Sequence, residues 1–479
     1  MKTAIALFVK DEAQDIAGWI AWHLALGADR LFIYDDHSND GTWEILQAAA
    51  KRYDAIELAR SDLHMSSNFF WRQATCYKDA CRKATGQFDW IGFLDGDEYV
   101  SLETADSLNA FLEQFSDYNG VTLSWRIYGS SHRALKSRQP AYEAYTFHCG
   151  PDLGDCELGK VFIRPQDFTD HYENPHRIAL TNERYANAMG QPVTWRGPTH
   201  DVIWQGGCIN HYIVRSMENY IERIRRRVNA DLADSTGYWQ HFDRNDIHRR
   251  ERPQFIERAG KILVHLREAC VDHYLRHVTQ QGLSSSPESG LACVYSILTH
   301  NNVPLILDHP EGRVAQKAGE ESVPVTAAVY RDDPHVYLFV EQYGHIASPP
   351  FRVREDGRFR SSLAFCLEAA PTEGRWFLRQ EGEGKFLVFF PVDGDGTVEA
   401  IRDSASDWEE CLLIAKQEQV PVFAVSPHHI RNRHDFLEYL RQNAGRLTYD
   451  DFVLALNLLT DHCRTELFQT AIGKSISWI

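Results

Sequence analysis

The run Trp90-Ile91-Gly92-Phe93-Leu94 is apolar and stops abruptly at Asp95-Gly96-Asp97-Glu98-Tyr99. That is the pattern of a buried parallel strand whose carboxyl end delivers two carboxylates into the crevice where open α/β sheets bind ligands. Two aspartates one residue apart repel each other at neutral pH, so a cation belongs between them. A divalent metal that prefers hard oxygen ligands fits, and a diphosphate can complete its coordination shell. Asp-Gly is also ordinary turn chemistry, and only the placement after a strand separates this motif from a surface turn.

The flanking sequence supplies a scaffold. Residues 3–9 are β-rich and apolar, and Asp11 is placed to cap a following helix with Gln14 at the capping-box position. Ile16, Trp19, Ile20, His23 and Leu24 recur at helical spacing, and Gly27 closes that helix. A second strand over 30–34 ends in the acceptor-rich loop Asp35-Asp36-His37-Ser38-Asn39-Asp40-Gly41, after which 42–52 reads as helix and 56–58 as a short strand. Strand and helix alternating at these intervals imply a parallel sheet with right-handed crossovers. A helix over 73–85, the Asp-Gly-Asp strand, an amphipathic segment over 104–115 and a strand over 121–127 continue the pattern. Residues 128–159 are weakly periodic and contain Gly, Ser and Pro; a loop this long inside a domain is usually a lid or binding loop. Strand signals return at 160–163 and at Gly207-Cys208-Ile209-Asn210-His211-Tyr212. Ser216 then caps a basic helix reaching about residue 228, and a long helical pattern covers 251–278.

With 479 residues, 12 Trp, 20 Tyr and 25 Phe, the chain can bury a sizeable core in about three domains. A formal net charge of -17 argues against non-specific binding to nucleic acid or anionic membrane, although Arg223, Arg225, Arg226 and Arg227 form a local basic patch. Lys10-Asp11-Glu12 interrupts the N-terminal apolar run, which reads as a first strand and not as a signal peptide. No stretch approaches the roughly 20 apolar residues of a membrane span. Ten cysteines without Cys-x-x-Cys spacing point to reduced thiols in a cytoplasmic protein and away from a zinc cluster or disulfide framework.

Several blocks recur in a recognisable order. They are Lys10-Asp11-Glu12 with Trp19 and His23, Tyr34-Asp35-Asp36-His37-Ser38-Asn39-Asp40-Gly41, and Gln73 ahead of Trp90 to Tyr99. Trp125-Arg126-Ile127-Tyr128-Gly129-Ser130, Lys160-Val161-Phe162-Ile163-Arg164-Pro165 and Asn210-His211-Tyr212 with Ser216 follow. Together they resemble glycosyltransferases of the GT-A fold, more closely the family 92 and family 2-like group once catalogued as a domain of unknown function. The likeness covers about half the chain and stops before residue 282.

That resemblance implies transfer of a sugar from a nucleotide diphosphate donor, a UDP-sugar in related enzymes, with inversion and with Mn²⁺ or Mg²⁺. It implies Asp97, Asp95 and His211 as metal ligands, with Asp95 nearer the ribose or bridging through water. The metal would meet the charge gathering on the diphosphate leaving group. Lys10, Glu12 and Asp36 lie at strand tips where such enzymes hold the nucleoside, and Gln73 and Asp95 join that donor-binding set. Trp125 offers an aromatic face to the sugar, and Lys160 reaches a phosphate. Inversion needs one carboxylate to take the acceptor's proton. Asp152, Asp155, Glu157, Glu143 and Asp201 are candidates, and Glu157, just ahead of the Lys160 strand, is the choice. Each residue also has a structural alternative: a core histidine at 211, a core tryptophan at 125, a strand-edge lysine at 160, loop capping at 10, 12 and 36.

Residues 282–290 are the clearest linker, and beyond them 325–414 consists of short aromatic and β-branched runs punctuated by turns. Arg375-Trp376-Phe377-Leu378-Arg379-Gln380, Gly384-Lys385-Phe386-Leu387, Val398 to Asp403 and Trp408 to Ile414 resemble one repeat of a fascin-like β-trefoil. Such a module implies either a carbohydrate- or protein-binding role toward a polymeric acceptor or a purely structural one. Asp393-Gly394-Asp395-Gly396 reads as a turn, and from Arg433 onward Phe436, Leu437, Leu440, Phe452, Leu456 and Leu459 return to helical spacing.

The expected fold class is α/β, a mostly parallel sheet flanked by helices, followed by a β-rich, trefoil-like domain and C-terminal helices. The expected segments are a GT-A glycosyltransferase domain over 1–250, a helical extension over 251–281, a linker over 282–290, a β-rich module over 291–416 and a helical segment over 417–479. The expected function is metal-dependent transfer from a nucleotide-sugar donor to a glycan or glycosylated acceptor in polysaccharide biosynthesis. Nucleic acid is not an expected partner, and peripheral membrane contact stays open. The alternative is a carbohydrate-binding protein on a degenerate transferase scaffold. A nucleotidyltransferase is disfavoured, because no Gly-rich phosphate loop follows the first strand.

Overall fold

The computed structural model describes residues 1–172, 174–226, 232–285, 292–308, 313–316, 322–331, 333–352, 359–361, 364–381, 384–394, 396–416 and 425–479. Two compact units emerge, Met1–Ala269 with Trp478, and Cys270–Ser477 with Ile479. The division falls inside the long helix Pro253–Thr279, ahead of the 282–290 stretch, of which 286–290 lie outside the described residues.

The first unit is a mixed α/β structure. β1 (Thr3–Val9), β2 (Arg30–Asp35), β3 (Ile56–Arg60) and β4 (Trp90–Leu94) run parallel in the order β3-β2-β1-β4. Every residue of β1 and β4 is buried, as a strand covered on both faces by helices requires. α1 (Ile16–Ala25) and α2 (Thr42–Arg52) connect β1 to β2 and β2 to β3, and α3 (Phe69–Ala84) leads into β4. One face of the sheet packs Ala6, Phe8, Phe32, Ile91 and Phe93 against Ala74, Tyr77 and Cys81 of α3. In α1, Trp19, Ile20, Ala21 and Trp22 are all 0% exposed, so this helix is interior almost all round.

The parallel order does not run through the whole sheet. β5 (Glu98–Leu102), α4 (Leu108–Leu112) and β6 (Gly120–Ile127) follow β4; α5 (Ala141–Ala144) and β7 (Phe147–His148) lie in the next stretch. β8 (Gly159–Ile163), β9 (Tyr185–Ala186) and β10 (Gly207–His211) complete the set. β8 is antiparallel to both β4 and β6, β10 is parallel to β6, and β5 closes the edge antiparallel to β10. Gly159 is what lets β8 lie against β6, since a Cβ there would stand 2.1 Å from the Leu123 carbonyl oxygen. α6 (Met217–Arg226), α7 (Leu232–Phe242) and α8 (Pro253–Thr279) follow.

Two local expectations change. Asp11 does not cap α1: its backbone is left-handed at φ 54, its N–H donates to Ser38 Oγ at 2.9 Å, and its Oδ1 accepts from the Asn39 N–H at 2.8 Å. The side chain therefore ties the β1 tip to the β2 tip, and α1 starts later, behind Asp15, which makes no side-chain cap bond. Residues 128–159 are not a structureless loop, because they hold α5, β7 and a 3₁₀ turn at Gly154–Glu157 and bury Tyr128, Tyr142 and Tyr145. Ser216 does cap α6, its Oγ accepting from the Asn219 N–H at 3.2 Å. Arg227 lies outside the described residues.

The second unit is β-rich and barrel-like, with 13 strands among the described residues between Ala292 and Ala415. Its interior is built from Ile297, Val325, Val336, Leu338, Phe351, Phe365, Leu378 and Leu387. The helices Arg433–Gln442 and Tyr449–Asn457 cover another of its faces, packing Phe436, Leu440 and Phe452 with Tyr330, Tyr337 and Phe339. Gly394 lies in a turn, its N–H bonded to the Pro391 carbonyl oxygen at 3.1 Å, while Asp395 lies outside the described residues. Among the described residues no helix is long and apolar enough to cross a membrane.

Candidate functional site

Strand register brings the polar tips together. Leu7 of β1 pairs with Leu94 of β4 and Val9 pairs with Asp35 of β2, so Lys10, Asp36 and Asp95 leave the sheet at one edge. His211 ends β10 opposite Glu98, and the Tyr212 N–H donates to the Asp97 carbonyl oxygen at 2.9 Å. The Asp-Gly-Asp loop is clamped from below as well: the Trp19 indole N–H is shared between the carbonyl oxygens of Asp95 at 3.1 Å and Glu98 at 3.0 Å.

Glu98, fully buried, is the hub beneath the loop. Its carboxylate accepts from the Asp95 N–H at 2.9 Å and the Trp125 indole at 2.8 Å, and pairs with Lys160 Nζ at 3.1 Å. Burial pushes this carboxyl up to about 7, with Lys160 opposing the shift. Lys160 is also fully buried and donates to Asp95 Oδ2 at 2.6 Å; burial lowers its affinity for a proton, and the two carboxylates more than reverse that. Gln73 Nε2 reaches the other oxygen of Asp95 at 3.2 Å. Asp95 is thus oriented by Lys160 and Gln73, and it does not join Asp97 and His211 in a cluster of ligand atoms within 4.8 Å.

Asp97 and His211 do meet. His211 Nε2 lies 3.6 Å from Asp97 Oδ1, beyond hydrogen-bond length, and buried Nδ1 of the same ring has no hydrogen-bond partner among the described residues. Two neighbouring ligands of a six-coordinate ion with bonds of about 2.1 Å stand roughly 3.0 Å apart, so a shift of about half an ångström would bring both atoms onto a single divalent ion. Burial alone would raise the Asp97 carboxyl, but His211, Arg223 and Arg215 hold it well below the ordinary carboxylate range, ionised as a ligand must be. The Trp125 ring, 4.4 Å from the His211 ring and 4.9 Å from that of His176, holds the imidazole in place.

A cleft opens beside Asp97, lined by Glu12, Asp15, Asp40, Lys136, Arg215 and Arg223 among others. Arg223 stands 3.8 Å from Asp97 Oδ2, and Arg215 bridges Glu12 at 3.0 Å and Asp15 at 2.7 Å. Burial raises the Glu12 carboxyl, with Arg215 opposing. Asp11 and Arg215 both line this cleft with left-handed backbones, at φ 54 and φ 55, where non-glycine residues are strained.

Two residues sit elsewhere than their expected roles require. Asp36 is fully buried and gripped bidentately by Arg72, Nε to Oδ1 at 2.7 Å and NH2 to Oδ2 at 2.6 Å, with Ser61 Oγ also donating at 2.6 Å. Lys10 Nζ donates to the Asp36 carbonyl oxygen at 2.6 Å, so this pair fixes the β2 tip. Glu157 is half-exposed and pairs with Arg196 at 3.3 Å, an arginine that also holds Asp201 at 2.7 Å; neither carboxylate lines the cleft. Sequence reasoning missed Arg72, Arg215 and Arg223 as site residues. Arg223 was legible only as part of a basic helix just after Asn210-His211-Tyr212.

Comparison with known proteins finds relatives over the same region. Residues 4–236 match the family model described as Glycosyltransferase family 92. The Oryza sativa subsp. japonica glycosyltransferase family 92 protein Os08g0121900 is 24% identical over 253 residues, covering 52% of this chain and 38% of its own length. The Arabidopsis thaliana family 92 protein At1g27200 is 25% identical over 245 residues, covering 48% of this chain and 37% of its own. The chain therefore spans well under half the length of these relatives. Among solved structures, the designed three-fold symmetric protein ThreeFoil covers 25% of this chain and 97% of its own at 16% identity, with a TM-score of 0.19. HddC from Yersinia pseudotuberculosis covers 36% and 81% at 10% identity, with a TM-score of 0.23, and likenesses this low assign no fold. The family match and the two plant relatives lead to one statement: residues 4–236, just under half of the chain, are similar to glycosyltransferase family 92 domains.

Proposed function

We infer that this domain transfers a sugar from a nucleotide diphosphate donor, a UDP-sugar, to a glycan acceptor with inversion, on a GT-A type sheet, in the reducing cytoplasm. The observation that carries the reading is the pairing of Asp97 with His211 beside a cleft walled by Arg215, Arg223 and Lys136. Asp97 and His211 would hold Mn²⁺ or Mg²⁺, which when bound supplies positive charge to the departing diphosphate. Arg223, next to Asp97, adds a cation on the same side. Lys160 and Gln73 aim the Asp95 carboxylate toward the donor's ribose. Trp125 acts by steadying His211, and Asp36 by fixing the strand tip through Arg72 and Lys10.

The proton of the acceptor hydroxyl goes to Glu12 in this reading, in place of Glu157. Glu12 lines the cleft, and burial raises its carboxyl despite Arg215 at 3.0 Å, whereas Glu157 pairs with Arg196 outside the cleft. The β-rich unit is read as a module that holds a polymeric acceptor.

Release of UDP from UDP-glucose, UDP-galactose and their N-acetyl forms tests the proposal. The expected result is release from one donor class with Mn²⁺ and none with a chelator. Sugar binding without release from any donor would favour a carbohydrate-binding protein on the same scaffold.

A further inference from the structure

In the second unit, strand register gathers three side chains that sequence spacing conceals. The strand His335–Gln342 pairs antiparallel with Ala364–Ala369, placing His335 directly opposite Cys366. The next strand, Trp376–Gln380, pairs Gln380 with Phe365, and the Glu381 N–H that follows donates to the Ala364 carbonyl oxygen at 2.9 Å. Three adjacent strands therefore present one imidazole, one thiol and one carboxylate to a common point. His335 Nε2 lies 3.3 Å from Glu381 Oε2, Cys366 Sγ lies 3.3 Å from the same oxygen, and the three donor atoms fall within 4.8 Å of one another.

The opposite side of the histidine is also arranged. His335, 4% exposed, has Nδ1 2.7 Å from Asp333 Oδ1. Asp333 is held in turn by the Tyr337 hydroxyl at 2.5 Å and by Ser426 Oγ at 2.9 Å. A carboxylate behind Nδ1 keeps the proton there and turns the Nε2 lone pair toward Cys366 and Glu381, the arrangement that orients histidines toward metals. Without a metal the same contacts read as an imidazolium between Asp333 and Glu381, with the Cys366 thiol donating to Glu381 Oε2, and the titration below separates the two.

We propose that His335, Cys366 and Glu381 bind one zinc-class divalent cation, with water in the fourth position and Asp333 orienting the histidine. Binding forms three coordinate bonds and releases the Cys366 thiol proton to solvent, with no change of oxidation state. Thiolate and carboxylate together balance the charge of the ion. The mixed nitrogen, sulfur and oxygen set selects a borderline-soft metal over Mg²⁺ or Mn²⁺. In a tetrahedron with bonds of about 2.0–2.3 Å the donor atoms stand roughly 3.3–3.7 Å apart, which the two spacings to Glu381 already meet, while His335 and Cys366 stand within 4.8 Å. The site is independent of sugar transfer, and its role is to pin three neighbouring strands.

The test is calorimetric titration of the full chain, stripped with a chelator and carrying Asp97→Ala, with zinc chloride alone. The expected result is one Zn²⁺ per chain, roughly tenfold or more weaker binding in each of Cys366→Ser, Glu381→Gln and Asp333→Asn, and a rise in melting temperature that Cys366→Ser removes. Co²⁺ should give a thiolate charge-transfer absorption, absent after Cys366→Ser. Circular dichroism shows whether each variant folds; should Cys366→Ser fail, Glu381→Gln and the cobalt spectrum of the unsubstituted cluster still decide. No uptake of Zn²⁺, or uptake unchanged in the folded variants, overturns the proposal.

Discussion

Asp97→Ala is expected to lower the proposed UDP release by on the order of 10²–10³-fold, the loss that follows when one preorganised contributor to leaving-group charge is removed. His211→Ala is expected to give a loss of the same order, because in the proposed site each side chain would supply one ligand atom, and the two face each other at 3.6 Å. The double variant should be little worse than either single one if the two groups hold one ion, because they would then act as a unit. Glu157→Ala is expected to leave turnover nearly unchanged, its carboxylate being paired with Arg196. Steady-state kinetics of the four proteins with Mn²⁺ checks all of this, and a Glu157→Ala loss matching that of Asp97→Ala would return the base to the position the sequence favours.

Arg72→Ala acts on stability. Asp36 is 0% exposed and Arg72 9%, so removing the guanidinium strands a buried carboxylate and costs about 3–5 kcal/mol. The urea midpoint of the first unit should fall accordingly, and a midpoint equal to wild type would refute the assignment. Burial raises the Asp36 carboxyl, while Arg72, Ser61 and Lys10 outweigh it, so the folded value lies below the unfolded 3.8. The pair's contribution is therefore full above that unfolded value and is lost as the pH falls through the lower folded one. Asp36→Asn should flatten this acid limb of the stability curve.

Much of the first unit was legible because its strands are continuous apolar runs with polar tips, and register then follows from burial on both faces. β5 was hidden, since Glu98 to Leu102 follows Asp-Gly-Asp at once and reads as loop until β10 pairs with it. Asp95, Asp97 and His211 could be named as candidates from residue type and position. What each would touch could not: Asp36 meets Arg72 and Asp95 meets Lys160 across 36 and 65 residues of sequence. Asp11 misled for the same reason, as a capping signal that tertiary partners at Ser38 and Asn39 redirect. The absence of Cys-x-x-Cys spacing likewise concealed the His335, Cys366 and Glu381 cluster, which only strand register assembles.

The central claim is that Asp97 and His211 grip a divalent ion at the cleft. Electron paramagnetic resonance of Mn²⁺ titrated into the full chain with UDP present, in a Cys366→Ser background that silences the other cluster, measures this directly. One bound Mn²⁺ per chain, lost in both Asp97→Ala and His211→Ala, is the predicted result. Mn²⁺ binding that survives both substitutions unchanged would contradict the account.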